Sequence, residues 1–156
     1  MTKYTKITLF LFRVSLGWMF FYAGITKVLN PAWSAAKYLD GAKTFTGFYH
    51  WLASPAILPI INFVNEWGLL LLGISLILGI GIRLSSVLGA VLMMLYYLPV
   101  QDFPNPNAHI IYITALLLLG GLRAGRVWGL EKWCSSLPIC SKFPKIRFVK
   151  FLMVGF

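Results

Sequence analysis

Charge is scarce in this chain of 156 residues: Asp, Glu, Lys and Arg together make up 12%, and only four of them are acidic against fourteen basic. A chain that is 59% hydrophobic, with six Trp, seven Tyr and twelve Phe, cannot hide its apolar surface as an ordinary soluble domain. Cysteine is nearly absent. The two present, Cys134 and Cys140, stand at C-x5-C spacing, which lacks the C-x-x-C geometry of dithiol redox sites and of most zinc or iron-sulfur loops. No HExxH, Walker loop or GxGxxG occurs, and no metal, haem or flavin motif is seen, so any redox centre has to be borrowed or diffusible. No repeat at a fixed period is visible.

What the chain has instead is long apolar runs. Four windows, about 7–29, 62–82, 85–103 and 108–124, are long enough to cross a bilayer, which takes about 20 mostly apolar residues. The first carries Arg13, exceeds a signal-peptide core in length and is followed by no convincing cleavage site, so it is read as a retained span. With four spans, Lys3, Lys6, Arg83, Arg123, Arg126, Lys132, Lys142, Lys145, Arg147 and Lys150 share one side. Lys27, Lys37 and Lys43 fall on the other, which places both termini in the cytoplasm. The formal charge of +10 then describes a surface meeting anionic lipid headgroups, and nothing calls for nucleic acid.

The connections after the first are short, so the expected fold is an all-α membrane protein, a four-transmembrane-helix up-down bundle. A tight reversal at 81–85 joins spans 2 and 3, and DFPNPN at 102–107 joins spans 3 and 4. In the long first outer loop, 30–61, Tyr38, Phe45, Phe48, Tyr49 and Leu52 share a helical face. That face predicts either a helix lying in the membrane interface or a cap packed on the bundle, ended by Pro55 and Pro59 before span 2. Residues 1–133 form the membrane domain. Residues 134–156 form a basic amphipathic tail for the inner leaflet surface, the alternative being a disordered tail.

The stretch RVSLGWMFFYAGITK, residues 13–27, puts Arg13, Gly17, Phe20, Gly24 and Lys27 within about 40 degrees of one line on a helix. The glycines turn that face toward a neighbouring helix. The two cations lie roughly 21 Å apart along the axis, in opposite leaflets. Arg13 is read as a structural anchor, with Glu131, backbone carbonyls or lipid phosphate as acceptors. Lys27 shares its level with Glu66, Asp102 and His109, and the least costly arrangement pairs it with Glu66 or Asp102.

Tyr22, Trp67, Tyr96, Tyr97, Gln101 and Tyr112 add hydrogen-bonding and stacking groups at the same level. Together they describe a polar, aromatic-walled pocket at the outer end, suited to a quinone headgroup. Lys27 and His109 orient it, and Glu66, Asp102 or His109 handles protons. The competing reading is a structural ion-pair network inside an aromatic belt.

The combination of RVSLGWMFFYAGITK, EWGLLLLGISLILGIGIR, HIIY and AGRVWGLE resembles the DoxX/DoxD family of small four-span membrane proteins over about residues 8–133. Some members are similar to the membrane subunit of thiosulfate:quinone oxidoreductase, which passes electrons from thiosulfate to quinone. The resemblance carries over onto Arg13, Gly17, Gly24, Lys27, Glu66, Gly68, His109, Gly125 and Arg126. It implies a plasma-membrane protein of a prokaryote, a second membrane or extracytoplasmic subunit, and a homo-oligomer as a further option. Related sequences often carry acids directly before the span-4 His, whereas this chain has NPNAH, with Asp102 as the candidate replacement. The alternative function is a non-catalytic anchor or organising module for a partner complex, using the glycine-rich faces and the basic tail. A lipid or small-molecule carrier fits less well because no span is broken.

Overall fold

The computed structural model describes residues 2–100 and 108–130, and every element in it is helical. The order is α1 (Lys3–Val28), α2 (Ala36–Asp40), α3 (Thr46–Leu52), α4 (Leu58–Leu78), α5 (Ile82–Tyr97) and α6 (Ala108–Gly121). Short 3-10 turns follow α5 at Leu98–Val100 and α6 at Ala124–Arg126. Gln101, Asp102, Glu131, Cys134 and Cys140, and the tail 134–156, lie outside the described residues.

Helices α1 and α4, at 26 and 21 residues, are long and apolar enough to cross a membrane, while α5 and α6 are apolar but only 16 and 14 residues long. The expected spans therefore differ in their bounds. Helix α4 starts at Leu58 because Pro59 sits in its first turn, where the missing N–H costs nothing, so Pro59 opens this helix and does not precede it. The reversal into α5 falls at 79–81, where Gly79 and Gly81 take left-handed conformations at φ 72° and 62°. Ser75 locks that corner by donating to the Ile80 carbonyl at 2.5 Å, with the Ser85 hydroxyl 2.9 Å away.

Helix α1 lies against α4 in one antiparallel register. A Cβ on Gly17 would stand 2.9 Å from Leu76 Cβ, and one on Gly24 would stand 2.6 Å from Leu70 Cα. Between these two contacts Gly73 meets the backbone of Phe21, so glycine on both helices permits the approach. Helix α5 packs along α6, and Gly89 lets Leu72 and Leu116 close against it. One apolar core joins all four longer helices, with Phe20, Leu76, Ile82, Leu116 and Leu119 at its centre. The opposite faces carry large apolar residues outward, Trp18, Leu71, Leu88 and Ile111 each being at least 59% exposed.

The first long loop is a docked cap. It is two helices and not one, because the chain breaks at Phe45, which takes φ 51°. Tyr49 is 1% exposed and donates to the Leu95 carbonyl at 3.0 Å, while Tyr38 donates to the Tyr96 carbonyl and Thr44 to that of Leu98. The backbone N–H of Lys43 donates to Pro99 at 2.9 Å. These bonds bring cap donors to carbonyls at the end of α5 and in the 3-10 turn after it, where a helix end leaves acceptors to be satisfied from outside. Phe45, Phe48 and Trp51 face outward, so the aromatic face expected of one helix is divided between two surfaces.

Candidate functional site

The register of α1 on α4 brings the last turn of α1 beside Asn65. Lys27 Nζ donates to Asn65 Oδ1 and to the Tyr96 hydroxyl, both at 2.9 Å, and Asn65 Nδ2 donates to the same hydroxyl. The ammonium also sits 4.7 Å from the Trp33 ring centre and 5.3 Å from that of Tyr96, within cation–π range. Among the described residues Lys27 is held by an amide, a phenol and two rings; of the two acids expected as its partner, Glu66 is not among these contacts and Asp102 lies outside the described residues. The reason is angular. Asn65 lies on the buried face of α4 with Leu69, Leu72 and Leu76, and Glu66 is one residue further round. An ammonium has three donors, and among the described residues two of them are used in hydrogen bonds here.

Two cavities meet at this cluster. The larger, about 360 Å³, lies between the cap and the helix ends and is lined by Lys27, Trp33, Lys37, Tyr38, Asn65 and Tyr96 with apolar walls from Leu39, Leu52, Ile61 and Leu95. The smaller, about 240 Å³, opens on the α6 side, lined by Lys27, Tyr96, His109 and Tyr112 with Met19, Phe20, Leu69 and Met93. Lys27 and Tyr96 belong to both. His109 stacks parallel to Tyr96 with ring centres 5.6 Å apart and meets Tyr112 edge-on at 6.2 Å. Its Nδ1 is buried without a hydrogen-bond partner among the described residues.

Of the residues expected in one pocket, the structure gathers Lys27, Tyr96, His109 and Tyr112. Glu66 and Tyr97 are partly buried but line neither cavity. Trp67 and Tyr22 are 41% and 62% exposed, and Trp67 packs its ring on Phe63 at 6.1 Å. Asn65, Trp33 and Tyr38 are the residues that sequence reasoning missed. Asn65 left a signal, a polar residue on the apolar stripe of a helix, whereas Trp33 and Tyr38 reach the site only through docking of the cap. That docking buries the Tyr38 phenol and pushes its pKa up to about 12, with Tyr96 and Tyr49 nearby adding to the rise.

At the other end of the molecule Arg13 is fully buried. Its Nη1 donates to the carbonyls of Ala124 at 2.7 Å and Val127 at 3.1 Å, tying α1 to the turn after α6, and its guanidinium lies 5.3 Å from the Phe10 ring centre. Gly79 and Gly129 leave room for it: a Cβ on either would stand 2.7 or 2.9 Å from Nη1. Arg126 is exposed on the same turn, next to buried Gly125. Among the described residues no group of three or more His, Cys, Asp or Glu could hold a metal ion.

No curated protein and no solved structure matches the chain. The family model described as DoxX matches residues 8–102, the stretch that carries α1 through α5 with the cap, Lys27, Asn65 and Tyr96. That is well over half of the sequence, although the resemblance noted above extends further, to residue 133. This chain of apolar helices therefore belongs to the DoxX family.

Proposed function

We propose that this protein is a four-span integral protein of a prokaryotic plasma membrane, both termini cytoplasmic, and that it serves as the membrane subunit of a quinone-linked oxidoreductase. The outward-facing apolar residues on α1, α4, α5 and α6 support the spanning reading, as does the distribution of Lys and Arg. The domain division at residue 133, a thiosulfate-type donor and a second subunit belong to the same proposal.

The observation that carries the ligand reading is the Lys27 ammonium, held at the wall of an aromatic cavity with no carboxylate touching it among the described residues. The α6-side cavity suits a quinone ring. Lys27 supplies a charged donor to one carbonyl, His109 Nδ1 is a buried polar atom free to engage a second polar group, and Tyr96, Tyr112 and Phe20 supply flat walls. A bound quinone supplies the electron and proton chemistry. The chain binds and orients it. Of the three residues expected to handle protons, His109 is at the cavity; Glu66 would act from outside its wall, and Asp102 from the segment before α6.

The alternative, a non-catalytic organising module, loses one of its two working surfaces, because Gly17, Gly24 and Gly73 are occupied by the α1–α4 contact within the chain. The test is equilibrium binding of ubiquinone and menaquinone to the full-length protein in nanodiscs. Saturable binding that is lost in Lys27→Met and in His109→Gln is the expected result. Binding indifferent to both substitutions, or none, returns the cluster to a structural role.

A further inference from the structure

The cap cavity is a separate space with its own chemistry. It holds two lysines, Lys27 at its floor and Lys37 at its exposed rim, and among the described residues no carboxylate lines it. Trp33, Tyr38, Tyr49 and Tyr96 give it polar-edged aromatic walls, and aliphatic side chains supply the rest. At about 360 Å³ it falls in the lower part of the range of small-molecule sites, about 300–1,000 Å³. Lys27 is fixed there by Asn65 and Tyr96, so its position needs no ligand to organise it.

We propose that the cap cavity binds an anionic amphiphile, with its acidic head between Lys27 and Lys37 and its apolar body against Leu39, Leu52, Ile61 and Leu95. A cation held by two neutral partners and two ring faces offers its third N–H most favourably to an anion, since a neutral head forgoes the charge-assisted bond. The apolar walls reject a small hydrated anion without such a body. The head chemistry is shared by a free long-chain acid and by the anionic headgroup of a bilayer lipid. The space is separate from the α6-side cavity, but Lys27 and Tyr96 line both, so the third N–H of Lys27 serves one ligand at a time; the proposal stands without the quinone reading.

The test is saturation binding of radiolabelled dodecanoate to the full-length protein in phosphatidylcholine nanodiscs, with uptake by empty nanodiscs subtracted. Binding is expected to be saturable, undisturbed by an equal concentration of 1-dodecanol, and weakened about tenfold or more in Lys27→Met. Lys37→Met, an exposed rim substitution that leaves the fold alone, should weaken it about threefold. Ile61→Trp, which fills the cavity and keeps both lysines, should abolish it. Nanodiscs containing phosphatidylglycerol separate the two sources: displacement of dodecanoate assigns the site to bilayer lipid, and persistence assigns it to the free acid. The proposal is overturned if dodecanol competes equally or if the lysine substitutions change nothing. Quinone binding measured on the same preparation can fail without altering either result.

Discussion

Lys27 on α1 and Tyr96 on α5 are 2.9 Å apart and together form the wall shared by the two cavities, with Asn65 of α4 bonded to both. Three helices thus meet in one closed triangle of polar groups at the end of an otherwise apolar core. Any change at this triangle is felt by the helix packing and by both cavities.

The triangle predicts coupled stability. Tyr96→Phe should lower stability by about 1–3 kcal/mol, because it removes one partner from buried Asn65 and one from half-buried Lys27. Lys27→Met in the Tyr96→Phe background should cost less than in the wild type, with a coupling energy of about 1 kcal/mol. Thermal unfolding of the four proteins in detergent measures it; strict additivity would show that the bond contributes nothing.

Glycine at 24 is required by the approach of α1 to the backbone at Leu70. Gly24→Ala should destabilise the protein by at least about 1–3 kcal/mol and displace Lys27 from Asn65. Gly121→Ala, where nothing lies within 4 Å of the added Cβ, is the matched control and should be neutral or mildly stabilising. Equal behaviour of the two variants would contradict the packing.

Arg13→Met should free the turn at 124–127 by removing the donor to two carbonyls. A loss of about 3 kcal/mol is expected, since bonds from charged donors contribute about 1.5–3 kcal/mol each. Hydrogen exchange should quicken in that turn while the cap at 36–52 stays protected, and exchange unchanged at both ends would reject the anchor.

The cap should loosen in alkali. The Tyr38 phenol keeps its proton to about pH 12 in the folded protein against about 10 when unfolded, so its contribution is complete below pH 10 and is lost as pH rises toward 12. Tyrosinate absorbance should report a late-titrating group of tyrosines, since burial raises Tyr49 as well, and Tyr38→Phe should remove one of them. A tyrosine titration finished by pH 10.5 would exclude the docking bond to Tyr96.

The sequence by itself determined the helical class, the two long apolar helices and the face of α1 that carries Arg13, Gly17, Gly24 and Lys27. These are consequences of composition and of the 3.6-residue period, which act locally along the chain. It also placed Lys27, Tyr96, His109 and Tyr112 at one level, since depth along antiparallel helices follows from counting residues. Only the tertiary structure decided which groups touch. Charge alone points Lys27 to an acid, but the rotation of α4 presents Asn65 in place of Glu66, a difference of about 100 degrees that periodicity cannot fix without knowing the buried stripe. The sequence left the cap as one of two readings for a related reason. Whether Tyr38 and Tyr49 meet a membrane surface or the carbonyls at the end of α5 depends on bonds between segments some 50 residues apart, and no local pattern records them.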